Sequence, residues 1–360
     1  MQMKILGIAD LANTAKDNEI KEGRWYQSGR RPFKSKGMKR IGNLYQKIIS
    51  IDNLVLADEK AQKGKSDQYG VKLHNRNREE NIQELHDLLK TKKYRTSIYD
   101  VFKVYEPKER TVYRLPYFPD RITHHAIMNI LEPILVSTFT ANTYSCIKGR
   151  GIHAAANSVK NALVDKENTQ YCLKLDVTKF YPSIDHDILK SLLRRKFKDT
   201  DLLWLLDEII DSAPGLPIGN YLSQYLANFY LTYFDHWIKE ELKVKYYFRY
   251  ADDLVILGPT KPYLHFVLSQ IKEYLLNILA LEVKGNYQIF PVQSRGIDFV
   301  GYRFYHTHTL LRKGIKKNFA RMLANNPNKA SVASYMGWAK HCDSKNLLKT
   351  ILKDEELQGV

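Results

Sequence analysis

Two adjacent aspartates, Asp252 and Asp253, stand between two short apolar stretches, residues 246–248 and 254–257. Stretches of this kind favour β-strands, so the spacing predicts a β-hairpin with both carboxylates at its tip. One aspartate is common in a turn, whereas two adjacent ones concentrate negative charge at one point. The fold must therefore solvate these carboxylates, pair them with cations or use them to bind a metal ion.

A third aspartate, Asp176, lies near the end of another predicted strand, residues 173–177. A carboxylate at the end of a buried strand is costly unless it is solvated, paired or bound to metal. If the three carboxylates meet, they could hold two Mg²⁺ ions about 3.5 to 4 Å apart, an arrangement that stabilises in-line phosphoryl transfer. A plainer interpretation stays open here: Asp176 caps the next turn, and the other two acids only solvate a hairpin.

Basic residues outnumber acidic ones, 56 Lys and Arg against 39 Asp and Glu, which gives a net charge of +17. This excess indicates a polyanionic partner, nucleic acid before an anionic membrane. The cysteines Cys146, Cys172 and Cys342 are too far apart for a zinc ribbon or a disulfide scaffold. The sequence shows no long apolar run and no secretory signal, so we expect a cytoplasmic protein that does not enter membranes.

The length of 360 residues predicts two or three structural units. Residues 21–40 are basic and interrupted by glycine and proline, which predicts a flexible lead-in that either binds a polyanion or is simply solvated. The last 50 residues are predicted to be helical, with a basic face over residues 311–330.

Apolar periodicity predicts a helical first third and then an α+β sheet covered by helices on one face. The predicted helices cover residues 41–63, 81–89, 187–197, 222–242 and 263–279. The predicted strands cover residues 173–177, 287–292 and 297–304, together with the hairpin over 246–257.

Ordered segments of the chain resemble the motifs of reverse transcriptases, and the match runs over most of the chain. Residues 114–127 and 144–153 resemble the two fingers motifs, and residues 176–184, 216–224 and 248–253 resemble palm motifs A, B and C. Residues 299–302, Phe-Val-Gly-Tyr, resemble the primer grip. The ordered set with Tyr-x-Asp-Asp in it favours a catalytic interpretation of the carboxylates.

Within that family, the chain resembles the reverse transcriptases of diversity-generating retroelements. The discriminating segment is residues 218–224, with Ile218 where most relatives have Gln and Gln224 where they have Pro. Residues 39–43, 115–125 and 296–304 also resemble this group. Two alternatives stay open: a bacterial defence-type reverse transcriptase, and a non-catalytic RNA-binding scaffold.

The resemblance implies a role for each matching residue. Asp176, Asp252 and Asp253 would hold two Mg²⁺ ions, with the backbone carbonyl of Val177 as a further ligand. Tyr181 would be the steric gate that selects deoxynucleotides, and Ile218 would leave base pairing to be judged by shape, which implies low fidelity. The other implied nucleotide-binding residues are Arg114, Arg121, Lys148, Arg150 and Gln224. The implied primer grip is Phe299, Val300, Gly301 and Tyr302, and the RNA-binding residues expected on the last basic face are Lys313, Lys316, Lys317 and Arg321.

The resemblance also implies an α+β right-hand polymerase. Its parts would be a basic extension over residues 1–40, fingers over 41–165, a palm over 166–305 and a short helical thumb over 306–360. Implied partners are template RNA, cDNA, deoxynucleoside triphosphates and a small basic oligomeric accessory protein. The expected activity is reverse transcription of a retroelement RNA, error-prone at template adenines and serving mutagenic retrohoming, in a bacterial, archaeal or phage-encoded system.

Overall fold

The computed structural model describes residues 40–105, 109–325 and 327–351. The chain divides into two units, Met1–Arg40 and Ile41–Val360, and every helix and strand that is described lies in the second. The predicted basic lead-in lies outside the described residues except for Arg40, and so does the start of the resembling segment 39–43. Both stay predictions.

Helices and a two-stranded ribbon form the first part of the second unit. The predicted helix over residues 41–63 is interrupted at Ser50, whose side chain accepts a hydrogen bond from the Asn53 amide and caps the second helix. The helices are α1 Tyr45–Ile49, α2 Ile51–Gln62, α3 Tyr69–Arg76, α4 Arg78–Lys90, α5 Ile122–Val136 and α6 Ile152–Ala162. The ribbon is antiparallel, β1 Asp100–Val104 with β2 Arg110–Arg114.

A four-stranded antiparallel sheet lies at the centre of this unit, in the order β4-β5-β3-β6. Its strands are β3 Tyr171–Asp176, β4 Tyr246–Tyr250, β5 Asp253–Gly258 and β6 Gln288–Pro291. The predicted hairpin is confirmed: Tyr250 pairs with Asp253, which leaves Ala251 and Asp252 as a two-residue turn. Ala251 has a φ of 54°, in the left-handed region that such tight hairpin turns require.

The sheet is covered on both faces, so the prediction of helices on one face is wrong. The helices of this part are α7 His186–Lys196, α8 Thr200–Ile210, α9 Tyr221–Tyr230, α10 Thr232–Glu240 and α11 Lys261–Leu279. Helix α11 contacts β3, β5 and β6. On the other face, Phe248, Val255 and Cys172 are buried against Ala155 and Val159 of α6. The prediction fails because β5 is apolar on both faces, whereas a strand with one exposed face would alternate apolar and polar residues.

Two predicted elements are each divided in the structure. The predicted helix over residues 222–242 breaks at Leu231, where ψ is 0°, and the Thr232 hydroxyl bonds back to the Asn228 carbonyl. The predicted strand over residues 297–304 is a hairpin of β7 Ile297–Phe299 and β8 Tyr302–Phe304. Val300 and Gly301 form its turn with φ values of 41° and 90°.

The last part of the described chain is helical, as predicted, after one further strand. β9 Thr309–Leu311 pairs with β8, so this small sheet extends across the predicted palm–thumb boundary at residue 305. The helices are α12 Lys313–Asn325, α13 Lys329–Ala339 and α14 Lys345–Ile351. A Cβ atom at Gly301 would lie 2.3 Å from the Trp338 ring, so glycine lets α13 pack directly on the β7–β8 turn. No helix in the described ranges is both long enough and apolar enough to cross a membrane.

A fully buried ion pair joins β4 to α10. Arg249 Nε lies 2.8 Å from Asp235 Oδ1, and Arg249 Nη2 lies 2.5 Å from Asp235 Oδ2. Asp235 also accepts hydrogen bonds from the hydroxyls of Tyr247, at 2.6 Å, and Thr143, at 2.9 Å. Arg249 Nη1 donates to the carbonyl of Ala251 at 3.0 Å, so this pair also holds the turn that carries Asp252.

We predict that Asp235→Ala lowers the free energy of unfolding by about 3 to 5 kcal/mol, because it leaves the Arg249 charge buried without a partner. The measurement is urea denaturation followed by circular dichroism. The matched control is Asp201→Ala, which removes a partly exposed ion pair with Lys92 and should cost at most about 1 kcal/mol. Equal costs for the two variants would contradict the prediction.

Candidate active site

The structure brings the three predicted carboxylates together at one end of the central sheet. Asp176, the last residue of β3, is the register partner of Asp253, the first residue of β5. Asp252, in the turn before β5, is close enough to Asp176 for that carboxylate to help raise its pKa. The antiparallel register, not proximity in sequence, therefore places Asp176 beside the Asp252–Asp253 pair.

Their surroundings disfavour negative charge on two of these carboxyls. Burial, together with the neighbouring Asp176, raises the pKa of Asp252 to about 7. Burial also raises the pKa of Asp253, while the nearby Lys174 ammonium acts in the opposite direction. One oxygen of Asp253, Oδ1, is buried and has no hydrogen-bond partner among the described residues. Positive charge beside these carboxyls would therefore stabilise their ionised forms.

Two lysines supply part of that charge. Lys284 Nζ forms an ion pair with Asp176 Oδ2, and the Lys284 amide donates a hydrogen bond of 2.9 Å to the Asp176 carbonyl. Lys174 Nζ lies 3.3 Å from Asp253 Oδ2. Sequence reasoning missed both residues. Lys174 stands two residues before Asp176 on the same strand, so the period of two predicts that it shares a face with that carboxylate. Lys284 lies in a loop after α11, and no sequence signal places it there.

The donor chemistry of this cluster fits a divalent cation. Carboxylate oxygens are the ligands that Mg²⁺ prefers, and a cation would relieve the repulsion that raises the pKa of Asp252. Val177, whose backbone carbonyl is the predicted further ligand, follows Asp176 directly and pairs with Val283 in an isolated β-bridge. The hydrogen bonds of this bridge are made by the backbone groups of the residues on either side. Over the described ranges, no group of three or more His, Cys, Asp or Glu side chains is already arranged to hold a metal ion. Two of the three carboxylates are instead paired with the ammonium groups of Lys174 and Lys284.

Tyr181 lies beside the carboxylates and against the loop that precedes α9. Its side chain is half-buried, and its ring packs edge-on against the buried Phe180. Burial raises the pKa of Tyr181, and the nearby Asp252 carboxylate contributes to the rise. The Tyr181 carbonyl accepts a hydrogen bond of 2.8 Å from the Leu216 amide. Gly215 is required at this contact, since a Cβ atom there would lie 2.5 Å from the same carbonyl oxygen. The predicted gate is thus held between β3 and the loop before α9.

Ile218 connects that loop to the ribbon. Its carbonyl accepts a hydrogen bond of 2.9 Å from the Tyr113 amide of β2. The next residue, Gly219, has a φ of 122°, and a Cβ atom there would lie 2.4 Å from the Tyr113 carbonyl. The Asn220 amide group donates to the Tyr99 hydroxyl at 2.8 Å, just before the ribbon begins. The Ile218 side chain is half-buried.

The other predicted nucleotide-binding residues lie around this region without contacting the carboxylates. Arg114 is exposed on β2 and pairs with Asp100, and Arg150 donates to the Thr140 carbonyl at 3.1 Å. Lys148 and Gln224 are exposed, and Arg121 is half-buried just before α5. Among the described residues, no hydrogen bond or ion pair joins any of these five side chains to the three aspartates.

The predicted primer grip is the turn between β7 and β8. Phe299 and Tyr302 are fully buried, and the Tyr302 hydroxyl lies 3.1 Å from the Trp338 carbonyl of α13. Val300, half-buried, and Gly301, buried, form the turn between them. The basic residues predicted to bind RNA are all exposed on α12: Lys313, Lys316, Lys317 and Arg321.

The sequence of this region matches a known family. The sequence profile described as "Reverse transcriptase (RNA-dependent DNA polymerase)" matches residues 106–304. Protein YkfC of Escherichia coli is 24% identical over 273 residues, which cover 62% of this chain and 70% of YkfC. The group II intron-encoded protein LtrA of Lactococcus lactis is 26% identical over 143 residues, 37% of this chain and 23% of LtrA.

Solved structures give a more distant likeness. The apo telomerase of Candida tropicalis is 12% identical with a TM-score of 0.46, and the match covers 64% of this chain and 53% of the telomerase chain. The telomerase of Candida albicans, solved with a fragment of telomeric RNA, is 11% identical with a TM-score of 0.46, covering 73% and 57%. The chain therefore spans little more than half of these telomerase chains.

We predict that Asp252→Asn stabilises the metal-free protein more at high pH than at low pH. The folded-state pKa of Asp252 is raised from 3.8 to about 7, so its contribution to stability is greatest below pH 3.8 and is lost as the pH rises through about 7. Asparagine cannot ionise and avoids this loss. Melting temperatures measured in a chelator should show the difference between variant and wild type growing from about pH 5 to about pH 8. A difference independent of pH would contradict the prediction.

Proposed function

The chain belongs to the reverse transcriptase family, whose members are RNA-directed DNA polymerases, and we propose that it extends a primer with deoxynucleotides on an RNA template. The observation that carries this proposal is the meeting of Asp176, Asp252 and Asp253 inside the segment that matches the family. An acidic centre with raised carboxyl pKa values has little use in a purely RNA-binding scaffold of net charge +17.

The carboxylates are the proposed ligands of two Mg²⁺ ions, together with the Val177 carbonyl. When bound, the ions would supply activation of the primer 3′-hydroxyl and neutralisation of charge on the transferred phosphoryl group. The chain's own contribution is to fix the ligands. The β3–β5 register sets the distance between Asp176 and Asp253, and the buried Arg249 holds the turn that carries Asp252.

The half-buried Tyr181 is the proposed steric gate, since a ring beside Asp252 would meet the 2′-hydroxyl of a ribonucleotide. Arg121, Lys148, Arg150 and Arg114 are proposed to contact the phosphates of the incoming nucleotide or the template backbone. None of them contacts the three aspartates, although Arg114 pairs with Asp100 and Arg150 donates to the Thr140 carbonyl, bonds that a phosphate would have to replace or share.

We assign residues 41–165 to the fingers, 166–305 to the palm and 306–360 to the thumb. The β1–β2 ribbon, tied to the loop before α9 at Tyr113, connects the proposed fingers to the palm. The β7–β8 turn packs on α13, which is consistent with a primer grip that rests on the thumb. The exposed cations of α12 would contact the backbone of the RNA–DNA duplex.

The finer proposal is that the enzyme belongs to a diversity-generating retroelement. The support is the segment around Ile218, whose apolar side chain lies where most relatives have a glutamine. A pocket without that hydrogen-bonding group discriminates by shape alone, a difference worth only about 1 to 3 kcal/mol. The proposed substrates are a retroelement RNA and deoxynucleoside triphosphates, and the proposed partner is a small basic accessory protein.

We predict that Asp252→Asn and Asp176→Asn each abolish detectable primer extension on an RNA template while retaining RNA affinity. Each substitution removes negative charge needed to hold the cations, and neither removes a cation that contacts the RNA backbone. Extension and RNA binding are measured on the same preparations.

The matched control for this prediction is Asp207→Asn, which alters a carboxylate paired with Arg194 on α7. This control variant should extend the primer at the wild-type rate. Extension at the wild-type rate by either active-site variant would contradict the assignment.

We predict that Ile218→Gln lowers misincorporation, with the largest effect opposite template adenine. The added amide can hydrogen-bond to the nascent base pair, and the backbone bond to Tyr113 stays available because it uses the Ile218 carbonyl. Some loss of rate is expected from repacking. Errors are counted per nucleotide added by sequencing cDNA made on one RNA template.

The control for the Ile218 prediction is Ile218→Val, which removes one methylene and stays apolar, so its error spectrum should match that of the wild type. Identical spectra for Ile218→Gln and wild type would show that this side chain does not set fidelity. A wild-type spectrum without adenine bias would contradict the retroelement proposal and favour a defence-type enzyme.

A further inference from the structure

The ammonium group of Lys174 contacts two different parts of the proposed active site. It lies 3.3 Å from Asp253 Oδ2, and it donates a hydrogen bond to the backbone carbonyl of Asp298 in β7. The Lys174 side chain is only 25% exposed, so few alternative positions are open to it. A single cation thus lies between a proposed metal ligand and the first strand of the proposed primer grip.

The strand that Lys174 contacts is also connected to the thumb. Asp298 Oδ1 accepts a hydrogen bond of 2.6 Å from Arg312 Nε, just before α12. The Arg312 amide in turn donates a hydrogen bond of 2.9 Å to the Gly301 carbonyl in the primer-grip turn. A continuous series of contacts therefore runs from Asp253 through Lys174 and Asp298 to the base of α12.

We propose that Lys174 is a positioning residue that couples cation binding at Asp253 to the grip on the primer. This inference rests on the proposed function, in which Asp253 is a metal ligand and the β7–β8 turn contacts the primer. Lys174 itself need contact neither the primer nor the nucleotide.

The coupling follows from like-charge repulsion. A divalent cation at Asp253 would repel the Lys174 ammonium, and at this short distance in a partly buried site the repulsion is only weakly screened. The remaining partner of the ammonium is the Asp298 carbonyl, so its hydrogen bond to β7 strengthens as the contact with Asp253 is lost. Cation binding would thereby fix β7 and the turn that follows it, and the primer would bind more tightly.

Lys284 provides a matched comparison within the same site. It pairs with Asp176 much as Lys174 pairs with Asp253, and its side chain is 34% exposed. Among the described residues its side chain bonds to Asp176, and none of its hydrogen bonds reaches β7 or β8. Removing Lys284 therefore also takes one positive charge from beside the carboxylates, without breaking the connection to the primer grip.

The test measures the affinity of the full chain for an RNA–DNA primer–template with and without Ca²⁺, at constant ionic strength. Ca²⁺ is the probe because it takes the same oxygen ligands, and the primer ends in a dideoxynucleotide so that no 3′-hydroxyl can bind the ion directly. In the wild type, Ca²⁺ should tighten binding by about fivefold or more. In Lys174→Met the change should fall below about twofold, whereas Lys284→Met should keep the wild-type change.

A second variant covers the case in which Lys174→Met does not fold. Lys174→Gln keeps a hydrogen-bond donor for the Asp298 carbonyl but has no charge to be repelled, so it should also lose the Ca²⁺ effect. A purely structural role would weaken binding equally with and without Ca²⁺ and would leave the ratio unchanged. A wild-type ratio in Lys174→Gln, or the same loss of ratio in Lys284→Met, would overturn the proposal.

Primer extension by the wild type with Mg²⁺ separates this inference from the function on which it rests. Extension in a preparation that shows no Ca²⁺ effect would overturn the coupling and leave the polymerase assignment standing. Absence of extension would contradict the proposed function itself, and the coupling with it.

Discussion

The buried ion pair between Arg249 and Asp235 is the interaction on which the acidic turn depends. Moving two charges out of water is costly, and their attraction repays that cost only when the remaining hydrogen-bonding groups are satisfied. Here Asp235 also accepts hydrogen bonds from the hydroxyls of Tyr247 and Thr143, and Arg249 also donates one to the Ala251 carbonyl. The pair therefore fixes the position of the turn. The guanidinium group that bonds to the Ala251 carbonyl cannot move without leaving Asp235 unpaired.

The same arginine brings together segments that are far apart in the sequence. Its backbone amide bonds to the Asn142 carbonyl and its carbonyl accepts from the Tyr144 amide, so β4 aligns the loop that leads to Lys148 and Arg150. Its side chain reaches Asn228 of α9, which in turn donates to the Ser145 carbonyl. The positions of the acidic turn and of the proposed phosphate-binding loop are therefore not independent, because both are set by one buried residue.

Sequence reasoning succeeds here where local pattern decides and fails where distant contacts decide. The turn that carries Asp252 could be predicted, because two β-prone stretches flank two residues of turn chemistry. Asp176 could be assigned to the cluster from the end of its strand, although its exact pairing with Asp253 needed the sheet register. The break at Leu231 has no sequence signal, since leucine does not break a helix by itself. The β7–β8 turn does carry one, Gly301, although a glycine inside a strand pattern also fits a bulge. Lys284 could not be found, because a loop of irregular backbone brings it to Asp176.

The lysines explain how an acidic centre can fold inside this protein before any divalent cation binds. Three carboxylates in a half-buried site repel one another, and burial together with the neighbouring Asp176 raises the pKa of Asp252. Lys174 and Lys284 reduce it by occupying one oxygen each of Asp253 and Asp176. An ammonium group on a flexible stem is a counter-ion that can be displaced without unfolding, unlike the buried guanidinium of Arg249. The site thus combines a buried guanidinium that sets the geometry with two partly exposed ammonium groups whose contacts to the carboxylates a divalent cation could replace.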